Sequence, residues 1–377
     1  MKIALVHHLK RGGAHRRIVE QIRALSNEIQ LQEFILEGAE PTTANPVVFP
    51  CPQRGDDAPA WKKPFVRYGD LWRKERAWSV LCDIVASQEF DAVWANPCMD
   101  LKVPPLSEAL ARRTMLYLDE PDRKHFDPSV KGSTRVWTRP VYFFLNYRKR
   151  TLQQRKAKAI NSVVTNSAFT AEMIRAAYGR TAQVLPLGVH ERFSPGDGQQ
   201  KKTVALSVGT LIPSKGHDLA ISALALSQSA LPLLIIAPRR EEGELQRLQA
   251  IAENLNVDVE FRFAVSDEEL VDAYRCAAVT LYLAKAEPFG LVSLEAQACG
   301  STLVIVNEGG LPETARGSRL VEVADRNVES IAGAIRRAVE PVSSDDRMRN
   351  AQVVRASWSW ERSSRLLQRA LQEVASA

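Results

Sequence analysis

Short apolar runs bounded by polar turns recur along the chain and set its architecture. In the first half they read as strands at Lys2–His7, Phe90–Ala95, Thr114–Leu118 and Ser162–Thr165. The runs are largely apolar without alternation, as expected of strands buried on both faces of a parallel sheet. Between them the pattern turns helical. Gly12-Gly13 opens a helix from Ala14 to Leu25, and Ser167 caps one over Ala168–Tyr178 that Gly179 closes. The pattern restarts at Thr203–Val208, with strands at Leu233–Ala237, Val259–Phe263, Val279–Leu283 and Leu303–Val306. Helices at Asp218–Ser227, Glu241–Asn254, Asp267–Cys276 and Leu291–Cys299 separate them. This alternation predicts an α/β protein with parallel sheets and right-handed crossovers.

The stretch Ser194-Pro195-Gly196-Asp197-Gly198 is the best linker candidate in the chain. Two Rossmann-like domains are therefore expected, over residues 1–190 and 191–355. Ligands of such sheets sit beyond the carboxyl ends of the strands, so the active site is expected where the two crevices face each other.

A length of 377 residues suits two such domains. With 45% hydrophobic and 25% charged residues, the composition excludes a disordered tail, a collagen-like rod and a small disulfide scaffold. No apolar run nears the ~20 residues of a spanning helix. The opening run Met1–His8 is too soon interrupted for a signal peptide, and a cytoplasmic protein is expected. The five cysteines include no C-x-x-C pair, the histidines no H-x-x-x-H pair, and no D-x-D occurs; neither a disulfide framework nor a built-in metal is expected. The net charge of +6 is uneven. Residues 1–190 hold 29 Lys/Arg against 19 Asp/Glu (+10), and residues 191–377 hold 21 against 25 (−4). A basic first half favours anionic partners.

Three segments carry candidate chemistry. In Glu287-Pro-Phe-Gly-Leu-Val-Ser-Leu-Glu295 two carboxylates flank a turn that opens a helix. The helix start offers unpaired N–H groups and a positive dipole end, and Gly290 admits close approach, which together suit an anion or sugar oxygens. The spacing alone fits a capped helix with two solvated carboxylates equally well. Gly209-Thr210-Leu-Ile-Pro-Ser-Lys215-Gly216 follows a strand, so Lys215 can meet a phosphate at the sheet's carboxyl edge or sit on a plain surface turn. Lys10-Arg11-Gly12-Gly13 can form a backbone cradle or simply end a strand.

Together these segments resemble the retaining GT-B glycosyltransferases of family 4. Thr165–Thr170, Leu185-Pro-Leu-Gly-Val189, Gly309-Gly310-Leu-Pro-Glu313 and Ser359-Trp360-Glu361 add to the match, which runs along nearly the whole chain. The resemblance implies an acceptor domain over 1–190, a nucleotide-sugar donor domain over 191–355, and a C-terminal helix over 356–377 that packs back on the first domain. It implies that Glu287 accepts donor-sugar hydroxyls, that Phe289, Gly290, Leu291 and Val292 line the donor, and that Glu295 binds the ribose. Lys215 would neutralise the leaving diphosphate. Gly209 and Thr210 would border it, and Gly12 and Gly13 would line the opposite wall.

The implied reaction moves a sugar from a UDP- or GDP-type donor to an acceptor hydroxyl with retention, and needs neither cofactor nor metal. Bacterial glycan, glycolipid or surface-polysaccharide synthesis is the setting it suggests. The sequence departs from the family at Thr210 (usually Arg), at Asp119 in Tyr117–Pro121 (often His), and at Ala237-Pro238 and Phe263–Val265 (usually glycine-containing). Asp119 can accept sugar hydroxyls, or act as nucleophile or base.

The resemblance implies a saccharide or lipid-linked saccharide as acceptor. Residues 61–81 place Phe65, Tyr68 and Trp72 at helical spacing amid a local charge of +4, and Tyr147–Lys158 holds six cations and no acid. Such helices fit an anionic membrane surface or an ordinary packed helix with a solvated face. No nucleic-acid motif is present, and no G-x-G-x-x-G follows a strand. Two other readings stay open: a non-catalytic sugar-nucleotide binder on the same scaffold, and a phosphorylase-like enzyme with a small sugar acceptor.

Overall fold

The computed structural model describes residues 1–51, 59, 63–98, 101–126, 139–196, 203–316 and 318–377. The chain divides into two compact units, Met1–Pro186 with Trp360–Ala377, and Leu187–Ser359.

In the first unit the elements are β1 (Lys2–His8), α1 (Gly13–Arg23), β2 (Gln30–Leu36), β3 (Val47–Phe49), α2 (Lys63–Ala86), β4 (Ala92–Cys98), α3 (Glu108–Ala111), β5 (Thr114–Leu118), α4 (Arg123–Phe126), α5 (Arg139–Ala159), β6 (Ser162–Thr165), α6 (Ala168–Tyr178) and β7 (Gln183–Val184). The strands form one parallel sheet in the order β3-β2-β1-β4-β5-β6-β7. β4 and β5 are buried throughout, as expected of largely apolar central strands covered on both faces, with Asn96 of β4 the polar exception. Ser167 caps α6 by accepting from the Thr170 N–H, and Gly179 ends it in the left-handed region.

The second unit holds β8 (Val204–Val208), α7 (His217–Ser227), β9 (Leu233–Ala237), α8 (Glu242–Asn254), β10 (Val259–Phe263), α9 (Asp267–Cys276), β11 (Ala277–Tyr282), α10 (Leu291–Ala298), β12 (Leu303–Val306), α11 (Leu311–Thr314), β13 (Val321–Ala324), α12 (Val328–Ala338) and α13 (Ser344–Ser357). Its sheet is parallel, in the order β10-β9-β8-β11-β12-β13. The order reverses between β8 and β11, the switch point where such sheets open a crevice for a ligand. The final helix, α14 (Trp360–Ala375), belongs to the first unit, where it packs on α1.

Two expectations change. The passage between units falls after Pro186, ahead of Ser194; Asp197 and Gly198 of the expected linker lie outside the described residues. Residues 356–359 belong with α13 and the second unit, not with the last helix. Among the described residues no helix is long and apolar enough to cross a membrane.

The two histidines that end β1 are structural. Both are fully buried. His8 bonds Cys98 Sγ through Nδ1 (3.3 Å) and the Glu37 carbonyl through Nε2. His7 accepts from the Leu9 N–H at Nδ1, so its Nε2 proton points to Glu33 Oε1 at 2.7 Å. Glu33 also accepts from the backbone N–H and hydroxyl of both Thr42 and Thr43.

Burial raises the Glu33 pKa, but these donors outweigh it and hold the carboxyl at about 2. Burial likewise lowers the pKa of His7. A carboxyl depressed from 4.5 stabilises the fold above its unfolded pKa and stops doing so as pH falls through the folded one. The first unit is expected to lose about 3 kcal/mol between roughly pH 5 and pH 2 at 1.36 kcal/mol per pKa unit. The lowered His7 contributes loss of the same sign below its unfolded value. Urea unfolding at stepped pH, read by the buried Trp78 and Trp94, should show that slope, and Glu33→Gln should flatten it.

Candidate active site

The carboxyl edge of the second sheet gathers most of the predicted donor residues. β8 ends in Gly209-Thr210, and a 3₁₀ turn over Pro213–Lys215 brings Lys215 back above the strand. His217 at the start of α7 is buried and braces this turn. Its Nε2 donates to the Thr210 carbonyl (3.2 Å), which leaves Nδ1 to accept from the Ser207 hydroxyl (2.9 Å). Burial lowers its pKa, so the ring is neutral in this role. The Lys215 stem packs over Gly209; a Cβ there would stand 3.4 Å from Lys215 Cγ, an ordinary contact.

Lys215 Nζ meets Glu287 Oε2 at 2.7 Å, each side chain about a fifth exposed. The ammonium also lies 5.9 Å from the centre of the Tyr282 ring. Glu287 sits in the turn between β11 and α10. Ala286 enters that turn at φ 47° and Gly290 leaves it at φ 105°. Gly290 is required by the turn itself, since a Cβ would stand 2.6 Å from Leu311 Cδ2. Phe289 is buried, edge-on to Trp358 with ring centres 5.6 Å apart, so it anchors the turn and leaves only its backbone for a ligand. Leu291 and Val292 open α10 half-buried, where the first N–H groups of the helix lack intrahelical partners.

Glu295 is buried on α10 and accepts from the Tyr274 hydroxyl at 3.0 Å. Tyr282 borders both carboxylates; its own burial, then Glu287, then Glu295 push its phenol well above the usual range. Tyr274 is raised in the same direction by burial and by Glu295. Both phenols therefore stay protonated and serve as donors that orient the glutamates. Sequence reasoning missed Tyr274, Tyr282 and the role of His217. Tyr282 was within reach, as the last strand residue ahead of the Glu287 turn.

Thr210 is tied to the site through its backbone carbonyl, which accepts from His217. Ala264 adopts φ 50°, the left-handed backbone a glycine would take, and its N–H bonds the Ala237 carbonyl. A cavity of about 590 Å³ lies at the other edge of the sheet, lined by Leu231, Ala278, Val342 and Arg347 among others. It sits at the amino ends of the strands and takes no part in this constellation.

In the first unit Gly12 and Gly13 are exposed at the start of α1. A Cβ on Gly13 would meet nothing within 4 Å, so packing does not demand this glycine. Asp119 follows β5 at the carboxyl edge. Both its oxygens are held by Arg17, from Nε at 2.8 Å and NH2 at 2.9 Å.

Two parallel Rossmann-like units of this kind make up the GT-B fold. Residues 191–353 match the family described as glycosyl transferases group 1. It is 32% identical over 228 residues to a D-inositol 3-phosphate glycosyltransferase of Acidothermus cellulolyticus, covering 54% of this chain and 51% of that protein. It is 28% identical to a GDP-mannose-dependent monoacylated alpha-(1-6)-phosphatidylinositol monomannoside mannosyltransferase of Corynebacterium glutamicum, over 52% of this chain and 58% of that one. The chain thus spans a little over half the length of these relatives, less than the motifs alone implied.

The fold likeness covers more. Anabaena HepE, solved in complex with UDP-glucose, superposes with a TM-score of 0.72 at 17% identity over 99% of this chain and all of that one. Sucrose-phosphate synthase from Thermosynechococcus elongatus gives 0.70 at 16% identity, over 99% of both chains.

Proposed function

We propose that the protein is a retaining glycosyltransferase that moves a sugar from a UDP- or GDP-type donor to an acceptor hydroxyl, without a metal, in bacterial glycan, glycolipid or surface-polysaccharide synthesis. The observation that carries this reading is the Lys215–Glu287 pair set beside the start of α10, with Glu295 behind it on the same helix. The diphosphate takes Lys215 and the α10 N–H groups. Lys215 then releases Glu287, which turns to the sugar hydroxyls, and Glu295 receives the ribose. In the transition state the bond from the anomeric carbon to the diphosphate breaks while the acceptor oxygen bonds that carbon from the same face. The acceptor proton passes to the leaving phosphate oxygen. The catalytic contribution is electrostatic, since Lys215 and the helix dipole meet charge as it grows on the leaving group.

Incubation with UDP-glucose and GDP-mannose against D-inositol 3-phosphate and phosphatidylinositol mannoside tests the reading. The expected result is release of nucleoside diphosphate and, by NMR, a product that keeps the donor's anomeric configuration. An inverted product sinks the retaining mechanism. A sugar phosphate as product supports the phosphorylase-like alternative. Tight donor binding with no turnover leaves the non-catalytic scaffold.

The first unit also favours an anionic membrane surface as a partner. Phe65 and Trp72 on α2, and Phe143, Phe144 and Tyr147 on α5, are each more than half exposed. Arg148 bridges to Glu75 at 3.1 Å and ties the two helices together. Exposed aromatics amid cations suit a lipid interface. Not every cation of the run serves it, for Lys74 is buried. Trp61, Lys62 and the side chains of Lys63, Arg67 and Tyr68 lie outside the described residues.

A further inference from the structure

Arg17 is an anomaly on α1. It stands on the buried stripe of the helix, beside Ile18 and Gln21, with no exposed surface at all. A buried guanidinium is costly unless its donors are spent, and here they are. Nε and NH2 fork onto the two oxygens of Asp119, NH2 also reaches Asn96 Oδ1 at 2.7 Å, and NH1 reaches Gln21 Oε1 at 3.0 Å. The plane of the group lies over Tyr117, 3.7 Å from the ring centre. Gln21 is itself fixed by α14: its amide donates to Ser363 Oγ, and its carbonyl accepts from Ser364 Oγ. The last helix of the chain thus braces Arg17, and Arg17 aims Asp119.

The pair is lopsided. Arg17 is wholly hidden, whereas Asp119 keeps 18% of its side chain exposed. What reaches the solvent edge is negative, backed by a cation that cannot itself be touched. The neighbouring amides are incomplete. Asn166 Nδ2 donates to the Asp119 carbonyl, but its Oδ1 is buried without a partner, as is Nδ2 of Asn96. The carboxyl edge of β5 therefore carries a rigid, part-exposed carboxylate, with the buried amides of Asn96 and Asn166 bonded to its partner Arg17 and to its own main-chain carbonyl. Such a carboxylate accepts from a neutral hydroxyl and repels an anion.

We propose that Arg17 is a positioning residue that holds Asp119 as a fixed, charged acceptor for one neutral hydroxyl of a sugar substrate, and that the pair selects against substrates presenting an anion there. The proposal rests on the transferase reading. The hydroxyl belongs either to the donor sugar or to the acceptor, and kinetics separate the two sources.

The test uses the full chain as wild type, Asp119→Asn, Arg17→Met, Arg17→Lys and the double variant Arg17→Met with Asp119→Leu. Nucleoside diphosphate release is measured from UDP-glucose, GDP-mannose and UDP-glucuronate, with and without D-inositol 3-phosphate. Affinity for UDP and GDP and the unfolding midpoint are measured alongside. Asp119→Asn and Arg17→Met should raise KM at least tenfold for the same one substrate, and which substrate names the source of the hydroxyl. Arg17→Lys should recover part of the loss. The double variant, with an apolar pair in place of the ion pair, should fold with a midpoint near wild type yet stay impaired, with nucleoside diphosphate affinity unchanged in all. The wild type should prefer UDP-glucose to UDP-glucuronate, and Asp119→Asn should narrow the gap.

Wild-type kinetics in Arg17→Met, or in the double variant, would overturn the proposal while leaving the transferase reading intact. A wild type inert toward every donor removes that reading and this one with it.

Discussion

Lys215→Ala should cut the rate of sugar transfer by about 10²–10³-fold, the size seen when one preorganised charge-stabilising group is removed. The ammonium is the only cation among the described residues seen to pair with Glu287, at 2.7 Å. On the proposed reading its interaction with the diphosphate strengthens as the sugar bond breaks, so the loss should fall on kcat. Glu295→Ala should behave differently. On the proposed reading this buried carboxylate meets a part of the nucleotide that does not react, so its loss should weaken ground state and transition state alike. Removing a hydrogen bond to a charged group costs about 1.5–3 kcal/mol, so Kd and KM should rise roughly tenfold to a hundredfold with kcat little changed. Steady-state kinetics on the two variants separates the roles, and a uniform loss in both would contradict the assignment.

Gly310→Ala should be strongly disruptive to the second unit. A Cβ at Gly310 would stand 2.3 Å from the Pro288 carbonyl oxygen, and one at Gly309 2.5 Å from that of Glu287. The obstacle is backbone, so no side-chain rotation relieves it. The Gly310 N–H bonds the Glu287 carbonyl at 2.8 Å, which makes this glycine pair the clamp on the turn that carries Glu287. Overpacking of this kind costs about 1–3 kcal/mol. The unfolding midpoint should fall by several degrees, at roughly 2–4 °C per kcal/mol for a unit of this size. Donor affinity should drop with it, because Glu287 moves off Lys215. Gly243→Ala is the control. That glycine lies in the first turn of α8, where a Cβ meets nothing within 4 Å, and alanine there should stabilise the helix by up to about 1 kcal/mol. Thermal unfolding of the two variants should move in opposite directions.

The sequence was most legible where burial on both faces forces an unbroken apolar run. β5, β6, β9 and β12 fall on the residues the pattern predicts, as do the alternating edge strand β10 and the helices α6 and α9, whose Ser167 and Ser266 caps fix their starts. β2 was not read because it begins Gln-Leu-Gln-Glu and places a charged residue in the sheet. Glu33 there is tolerated only through His7, Thr42 and Thr43, and two of those partners come from a loop no local pattern predicts. β3 and β13 were missed as short edge strands, paired on one side and held to a weaker apolar requirement.

The candidate constellation was readable because Lys215 and Glu287 lie in the turns that follow β8 and β11, and Glu295 lies on the helix that the second turn opens. Arg17 was not, since an arginine on the buried stripe of a helix only makes sense once Asp119, Asn96 and Gln21 converge on it. The glycines were half read. Gly290 looked like room for a ligand, and the structure shows that the turn needs it against Leu311 in any case.

The central claim is that the carboxyl edge of the second sheet binds a nucleoside diphosphate. Calorimetric titration of UDP and GDP into the wild type and Glu295→Ala tests it most directly. One of the two nucleotides should bind the wild type, and Glu295→Ala should bind it at least tenfold more weakly. Binding of neither, or binding indifferent to the loss of Glu295, would contradict the account.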